Sequence, residues 1–375
     1  MQKGEDMGCA IIGCGKALPA LEISNDELTK LVDTSDEWIV PRTGIHNRRI
    51  AVEETGVDLG SGAARQALGW DEGGYAERRI DASEIDLVIY ATISPDTMMP
   101  SNAALVRRRL GLENAVAFDL TAACSGFVYG TIAAESMMAA SAAGVPGAAR
   151  RNPIRHALVI GVERLSRITN WSERSTCVLF GDGGGAAVLE WDESRTGIMG
   201  SFMMNEDDDT NALNVPVVYD SPFPFDENGV SDERPCEDPA AMRIAQEIGA
   251  GESVASGDPR GSVRMNGQKV FKFSAEAMGR AVNAAVERAG VTLDDIALIV
   301  PHQANERIIK YAAKKMGLPM SKFQVSIADR GNASAACVPM TLSDAYEQGR
   351  IHRGDLVVLV GFGGGYTSGA VVYEA

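Results

Sequence analysis

The sequence holds no run of about twenty uninterrupted apolar residues, the length a membrane-spanning helix needs. Its opening, MQKGEDMGCAIIG, has acids where a secretory leader has a basic region, and no long apolar stretch. Neither a membrane segment nor a leader is therefore expected. Histidine is scarce: His46, His156, His302 and His352 are too dispersed for a metal cluster. Six cysteines, at 9, 14, 124, 177, 236 and 337, show no CxxC pairing. In a chain this long they read as reduced thiols of a cytoplasmic protein, one or two of them chemical. Positive charge is in deficit, with 35 Lys and Arg against 51 Asp and Glu. That argues against nucleic acid as a partner, because phosphate neutralisation needs a local positive excess.

Enough chain is present, 375 residues at 45% hydrophobic and 23% charged, to bury a sizeable core. Short apolar runs alternate with longer helical stretches, which reads as α/β. Strands are expected over 9–13, 86–92, 115–120, 157–161, 185–190, 297–301, 323–327, 356–360 and 370–373. Helices are expected over 25–32, 59–68, 101–110, 126–140, 275–289, 305–316 and 340–348, the first opened by a Ser24–Glu27 capping box.

The pattern repeats. IDLVIYATISP runs through a helix ending RRRLGL into AFDLTAACSGF, and IALIVPHQANE runs through one ending AKKMGL into VSIADRGNASAA. HALVIG then leads to FGDGGGAAVLEW, as DLVVLVG leads to FGGGYTSGAVVYE. Two copies of one plan in register predict a duplicated, pseudo-twofold fold, with halves at 7–194 and 195–375. Two segments stand outside the plan. One is a small, Gly/Pro-bearing loop over 141–152. The other, 205–263, carries fourteen acids and three arginines, so it holds eleven of the sixteen net negative charges. It reads as a solvated flap that could tune docking of a partner.

Cys124 follows an apolar strand and opens a helix, where the dipole and free backbone N–H groups favour thiolate. His302 ends the equivalent strand of the second half, and Asn332 sits on the loop where the repeat expects the counterpart of Cys124. Pseudo-symmetry brings such ends together, so a thiol, an imidazole and an amide can converge. GCGKAL lacks the third glycine and the distant acid of a dinucleotide fingerprint. FGDGGGAA and FGGGYTSG lack the lysine and hydroxyl of a P-loop, and read as tight turns.

AACSGF, PHQAN, GNASAA, FGDGGGAAVL, FGGGYTSG and DTSDEWIVPRTGI together resemble the β-ketoacyl-[acyl carrier protein] synthase III family of thiolase-like condensing enzymes. The resemblance runs from about residue 7 to 375, the two outlying segments excepted. It implies a layered α-β-α-β-α fold and a Cys124–His302–Asn332 triad. It also implies decarboxylative condensation of an acyl-CoA starter with malonyl-acyl carrier protein, without metal or cofactor, by a cytoplasmic homodimer. The oxyanion would be held by N–H groups of Cys124 and Gly364, with Phe362 crowding the malonyl carboxylate. Thr34, Trp38, Arg42, Arg174 and Arg307 match CoA-binding positions, Pro41 being a departure beside Arg42. Lys272, Arg307, Lys310, Lys314 and Lys315 would form a positive patch for the acidic carrier protein. Met99 would floor the partner's acyl pocket. Two other readings stay open: a starter-loading or acyl-transferring relative in secondary metabolism, and a non-catalytic paralogue serving as a scaffold.

Overall fold

Residues 8–145, 153–208, 210–216, 225–226, 229–230 and 261–375 are described by the computed structural model. Most of the acidic 205–263 segment, Cys236 with it, and the end of the 141–152 loop lie outside the described residues.

Two sheets form the body. The first takes β1 (Cys9–Ala17), β2 (Tyr75–Ala76), β3 (Leu87–Ala91), β4 (Val116–Leu120), β5 (His156–Arg164) and β6 (Asp182–Trp191), in the order β2-β1-β6-β5-β3-β4. The second takes β7 (Ile198–Asn205), β8 (Ile296–Pro301), β9 (Leu356–Gly363) and β10 (Thr367–Glu374), in the order β8-β9-β10-β7. In the first sheet β3 pairs parallel with β5, which pairs antiparallel with β6. In the second, β8, β9 and β10 repeat that arrangement. The central strands read as unbroken apolar runs, HALVIGV and LVVLV, because both of their faces are covered.

Helices supply the cover. They are α1 (Asp36–Thr43), α2 (Gly56–Ala67), α3 (Asn102–Leu110), α4 (Gly126–Ala142), α5 (Gly267–Ala289), α6 (Glu306–Met316) and α7 (Cys337–Glu347). Helices α2 and α3 cover the outer face of the first sheet, and α5 and α6 that of the second. Between the sheets lie α4 and α7. Their Phe127, Val128, Val338 and Leu342 pack with Ile89 and Val159 of one sheet and Leu359 and Val371 of the other. The five layers are those the resemblance implies. The halves are also tied by charge: Lys16 of β1 reaches Asp344 of α7 at 2.5 Å, and Arg330 meets the same carboxylate at 2.9 Å.

Three expectations need correction. The strand expected at 323–327 shrinks to a single bridge between Ile299 and Phe323, flanked by 3-10 turns. Its Ser326 N–H is diverted to the side-chain oxygen of Gln303 at 2.9 Å, so no ladder can run on. The capping box at Ser24 is present, but the helix it opens stops after Asn25–Leu28. Helix α5 begins eight residues ahead of its expected start, where the Asn266 side chain accepts the Lys269 N–H.

Candidate active site

Two short 3-10 turns meet between the sheets, Ala123–Ser125 leading into α4 and Ser334–Ala336 leading into α7. Each begins with a non-glycine residue in the left-handed region, Ala123 at φ 45° and Ser334 at φ 43°. A strand end presses on each turn. A Cβ on Gly363 of β9 would fall 2.9 Å from the Cys124 sulfur, and one on Gly161 of β5 would fall 2.3 Å from the Ala335 carbonyl oxygen. Superposing the turns pairs Cys124 with Ala335. Asn332 therefore lies three residues ahead of the counterpart the repeat had suggested, because it precedes the turn instead of standing on it.

Cys124 is 8% exposed, and backbone N–H groups of its own residue and of Gly364 point at its sulfur. Thr367 and Ser125 hydroxyls, 3.0 Å apart, fasten the turn. Burial nevertheless pushes the thiol up to about 12. The lowering expected from the helix entrance is present in those N–H groups but is outweighed by desolvation.

His302 leaves the end of β8, its own N–H donating to the Val360 carbonyl at 2.8 Å. It is 1% exposed, and its ring stands edge-on to Phe362 with centroids 5.3 Å apart. Its Nδ1 is buried without a hydrogen-bond partner among the described residues. Burial lowers the imidazole to about 3, so the ring is neutral at any working pH. The Asn332 backbone is held by Leu179 and Gly181. Its Oδ1 accepts the Ser334 N–H at 2.8 Å and the Cys337 S–H at 3.8 Å, which leaves the NH2 end as the free donor. Gly363 against Cys124, Phe362 against His302 and Ser334 beside the thiol gather the three residues around one spot.

Two guanidiniums lie over the ring of Trp38 in α1, Arg42 at 4.6 Å and Arg174 at 4.5 Å from its centroid. Arg42 also donates to the Trp38 carbonyl at 2.9 Å, and Arg174 to the Asp33 carbonyl at 2.8 Å. Pro41 sits inside α1 without dislodging Arg42. It is exposed, and the helix ends two residues later at Thr43, capped by Gly44 in the left-handed conformation. The Thr34 hydroxyl oxygen is buried and has no hydrogen-bond partner among the described residues. Asn305 donates to the Arg42 carbonyl at 2.9 Å, which brings the start of α6, and exposed Arg307, beside α1.

The basic patch is weaker than its sequence suggests. Lys310 pairs with Glu306 at 2.8 Å and Lys315 lies 3.9 Å from Glu276 of the neighbouring helix. Lys272, Arg307 and Lys314 are exposed and make no ion pair among the described residues. Met99 is 89% exposed, and Met98 74%, in the loop ahead of α3. Sequence reasoning passed over Ser334 and Glu163, both buried beside Cys124. The aligned repeats carried a signal: where GVER ends β5, GFGG ends β9, so a carboxylic acid stands opposite a glycine.

Residues 118–207 match the family model for 3-oxoacyl-[acyl-carrier-protein] synthase III, and 286–375 that for its C-terminal part. The chain is 40% identical over 366 residues to the β-ketoacyl-[acyl-carrier-protein] synthase III of Clostridium beijerinckii, covering 97% of this chain and 98% of the relative. The 3-oxoacyl-[acyl-carrier-protein] synthase III of Aquifex aeolicus VF5 superposes with a TM-score of 0.79 at 36% identity, over 98% of this chain and all of that one. A priming β-ketosynthase of the R1128 polyketide pathway superposes with a TM-score of 0.80 at 29% identity, over 100% and 98%.

Proposed function

The chain belongs to the 3-oxoacyl-[acyl-carrier-protein] synthase III family, and on that premise we propose how its residues perform that family's reaction. The enzyme is a condensing acyltransferase that joins an acyl-CoA to malonyl-acyl carrier protein and so initiates fatty-acid synthesis. Cys124 is the nucleophile. Its sulfur attacks the acyl-CoA thioester, and the N–H groups of Cys124 and Gly364 stabilise the oxyanion that develops.

Malonyl-carrier protein enters once CoA has left. Loss of carbon dioxide places an enolate oxygen between His302 and Asn332, whose N–H donors stabilise it. A neutral imidazole suits this task, since an imidazolium would protonate the carbanion that must attack. The Phe362 ring supplies an apolar wall that disfavours the malonyl carboxylate and favours its departure. The carbanion attacks acyl-Cys124 and releases a 3-oxoacyl thioester. The thioester supplies the activated acyl group, so the scheme calls for neither metal nor organic cofactor. One observation carries this reading: a buried thiol with two N–H groups at its sulfur shares a glycine-lined corner with a neutral, buried imidazole.

Around that corner, Trp38, Arg42, Arg174, Arg307 and the Thr34 hydroxyl bind the CoA nucleotide. Lys272, Arg307 and Lys314 contribute most of the attraction for the acidic carrier protein, Lys310 and Lys315 being partly neutralised. We assign a homodimer formed beside β4, the outermost strand of its sheet, where Val116, Met98 and Met99 are exposed. Met99 then floors the acyl pocket of the other subunit and suits short or branched starters. A cytoplasmic location fits the five described cysteines, all free and buried. Among the described residues no helix is long and apolar enough to cross a membrane.

The test gives purified enzyme radiolabelled acetyl-CoA, then malonyl-carrier protein. Label retained on Cys124 and released as acetoacetyl-carrier protein is the expected result. Labelling without condensation would indicate a starter-loading enzyme, in line with the polyketide-priming structure, and no labelling would indicate a scaffold. A Met99→Ala variant with the wild-type preference between acetyl-CoA and branched four- or five-carbon acyl-CoA would remove the role of Met99.

A further inference from the structure

Glu163 has no part in the scheme above, yet it lies in the wall of the same site. It ends β5 and is wholly buried. Ser94 donates to its Oε2 at 2.5 Å, Thr92 at 3.2 Å and the Ile93 N–H at 3.2 Å. The other oxygen also accepts that N–H, at 3.3 Å. Among the described residues no arginine or lysine forms an ion pair with it. The Ser334 hydroxyl lies between this carboxyl and the Cys124 thiol and favours the ionised form of each. By distance and angle its hydroxyl closes no hydrogen bond among the described residues. Strand β5 thus presses a carboxyl against the Ser334 turn at the place where β9 presses Gly363 against Cys124.

We propose that Glu163 stores the proton of Cys124 between the two half-reactions, exchanging it through the Ser334 hydroxyl. The inference rests on the condensation reading above. In acylation the Cys124 S–H bond breaks, and its proton passes to Ser334 Oγ while the serine's own proton passes to the Glu163 carboxylate. The freed sulfur pair forms the bond to the acyl carbon, and the acyl carbon's bond to CoA sulfur breaks. CoA leaves as a thiolate and takes a proton from water. In condensation the malonyl carbon–carboxylate bond breaks and carbon dioxide departs. Its electron pair forms the new carbon–carbon bond, and the pair of the broken Cys124–acyl bond returns to sulfur. The sulfur then recovers its proton from Glu163 through Ser334, which restores the carboxylate.

Proton affinity favours this store over the imidazole. Burial raises Glu163 to about 7 but lowers His302 to about 3. An acid near 7 can hold a proton at working pH and return it; a ring near 3 cannot. Glu163 touches neither substrate nor reacting carbon, so it is a positioning and relay residue.

The test separates the half-reactions in the full-length enzyme. Acylation is read as single-turnover transfer of radiolabelled acetyl from acetyl-CoA to Cys124, and decarboxylation as carbon dioxide release from malonyl-carrier protein. Glu163→Gln is expected to slow acylation about 100-fold and Ser334→Ala about 10-fold, with decarboxylation within about twofold of wild type. The double variant should be no slower than Glu163→Gln, since both interrupt one relay. Unchanged acylation, equal loss in both half-reactions, or multiplying effects in the double variant would overturn the proposal. Should Glu163→Gln not fold, Ser334→Ala carries the test alone; Ala123 shows that alanine accepts the same left-handed backbone. Failure of the wild type to acylate Cys124 would instead overturn the condensation reading beneath it.

Discussion

The two halves of the molecule reuse one plan, a parallel strand pair feeding a hairpin that presses on a 3-10 turn, yet they end in different chemistry. In the second half β9 ends in glycines, and its smooth edge lets the Cys124 sulfur reach the backbone N–H of Gly364. In the first half β5 ends in Glu163 and Arg164, and that edge holds hydroxyls and a carboxyl. The proposed nucleophile, Cys124, thus rides on the first half but is bounded by the second, while His302 and Asn332 belong wholly to the second. The two corners share one strand-and-turn arrangement and differ at a few strand-end positions; on the proposed reading one is the reaction site and the other its support.

That division of labour can be broken by substitution, most severely at the nucleophile. Cys124→Ala should cut acyl transfer by at least about 1,000-fold while malonyl decarboxylation continues, as separate radiolabel and carbon dioxide assays would report. His302→Ala and Asn332→Ala should do the reverse. Each removes a donor to the enolate, so decarboxylation should fall about 100- to 1,000-fold, with acylation of Cys124 within severalfold of wild type. Gly363→Ala tests the contact between the halves. Its methyl group would sit 2.9 Å from the Cys124 sulfur, and the resulting displacement should slow acylation about 100-fold in rapid-quench measurements.

Stability tests the same seam more gently. Lys16→Met removes one of two partners of Asp344, a side chain only 4% exposed, while Arg330 remains. The loss should be about 2 kcal/mol, seen as a melting temperature lower by several degrees. The smallest effect expected is none. Because folded His302 titrates near 3 and an exposed histidine near 6.5, decarboxylation should stay level from pH 8 to pH 5. Stability should behave differently. The unfolded chain gains a proton below about 6.5 that folded His302 refuses, so this site costs stability progressively as pH falls from there toward 3. A decarboxylation rate breaking near 6.5 would mean that the ring is hydrated and charged.

Much of the fold was legible because strands buried on both faces leave unbroken apolar runs, and because the duplication states the plan twice. That Cys124, His302 and Asn332 come together could be read for a related reason: Cys124 and His302 stand at strand or helix ends, and Asn332 in the facing loop, where the period of the sequence changes. What escaped depended on partners remote in sequence. Whether 323–327 forms a strand turns on Gln303 capturing one N–H twenty-three residues away. Whether Lys315 is free turns on Glu276 of another helix. The thiol's affinity for its proton is set by desolvation, and no motif encodes that. Helix α1 was hidden by its own proline.

The pair of guanidiniums around Trp38 has one more consequence. Arg42 and Arg174 both lie over the indole, so a flat base that stacks there as proposed has to displace or share the place of a guanidinium. The exchange replaces a cation over the ring by a neutral aromatic and alters how the excited indole loses its energy. If CoA binds there as proposed, nucleotide occupancy would register in the colour and intensity of the protein's own fluorescence, a gauge that needs no label.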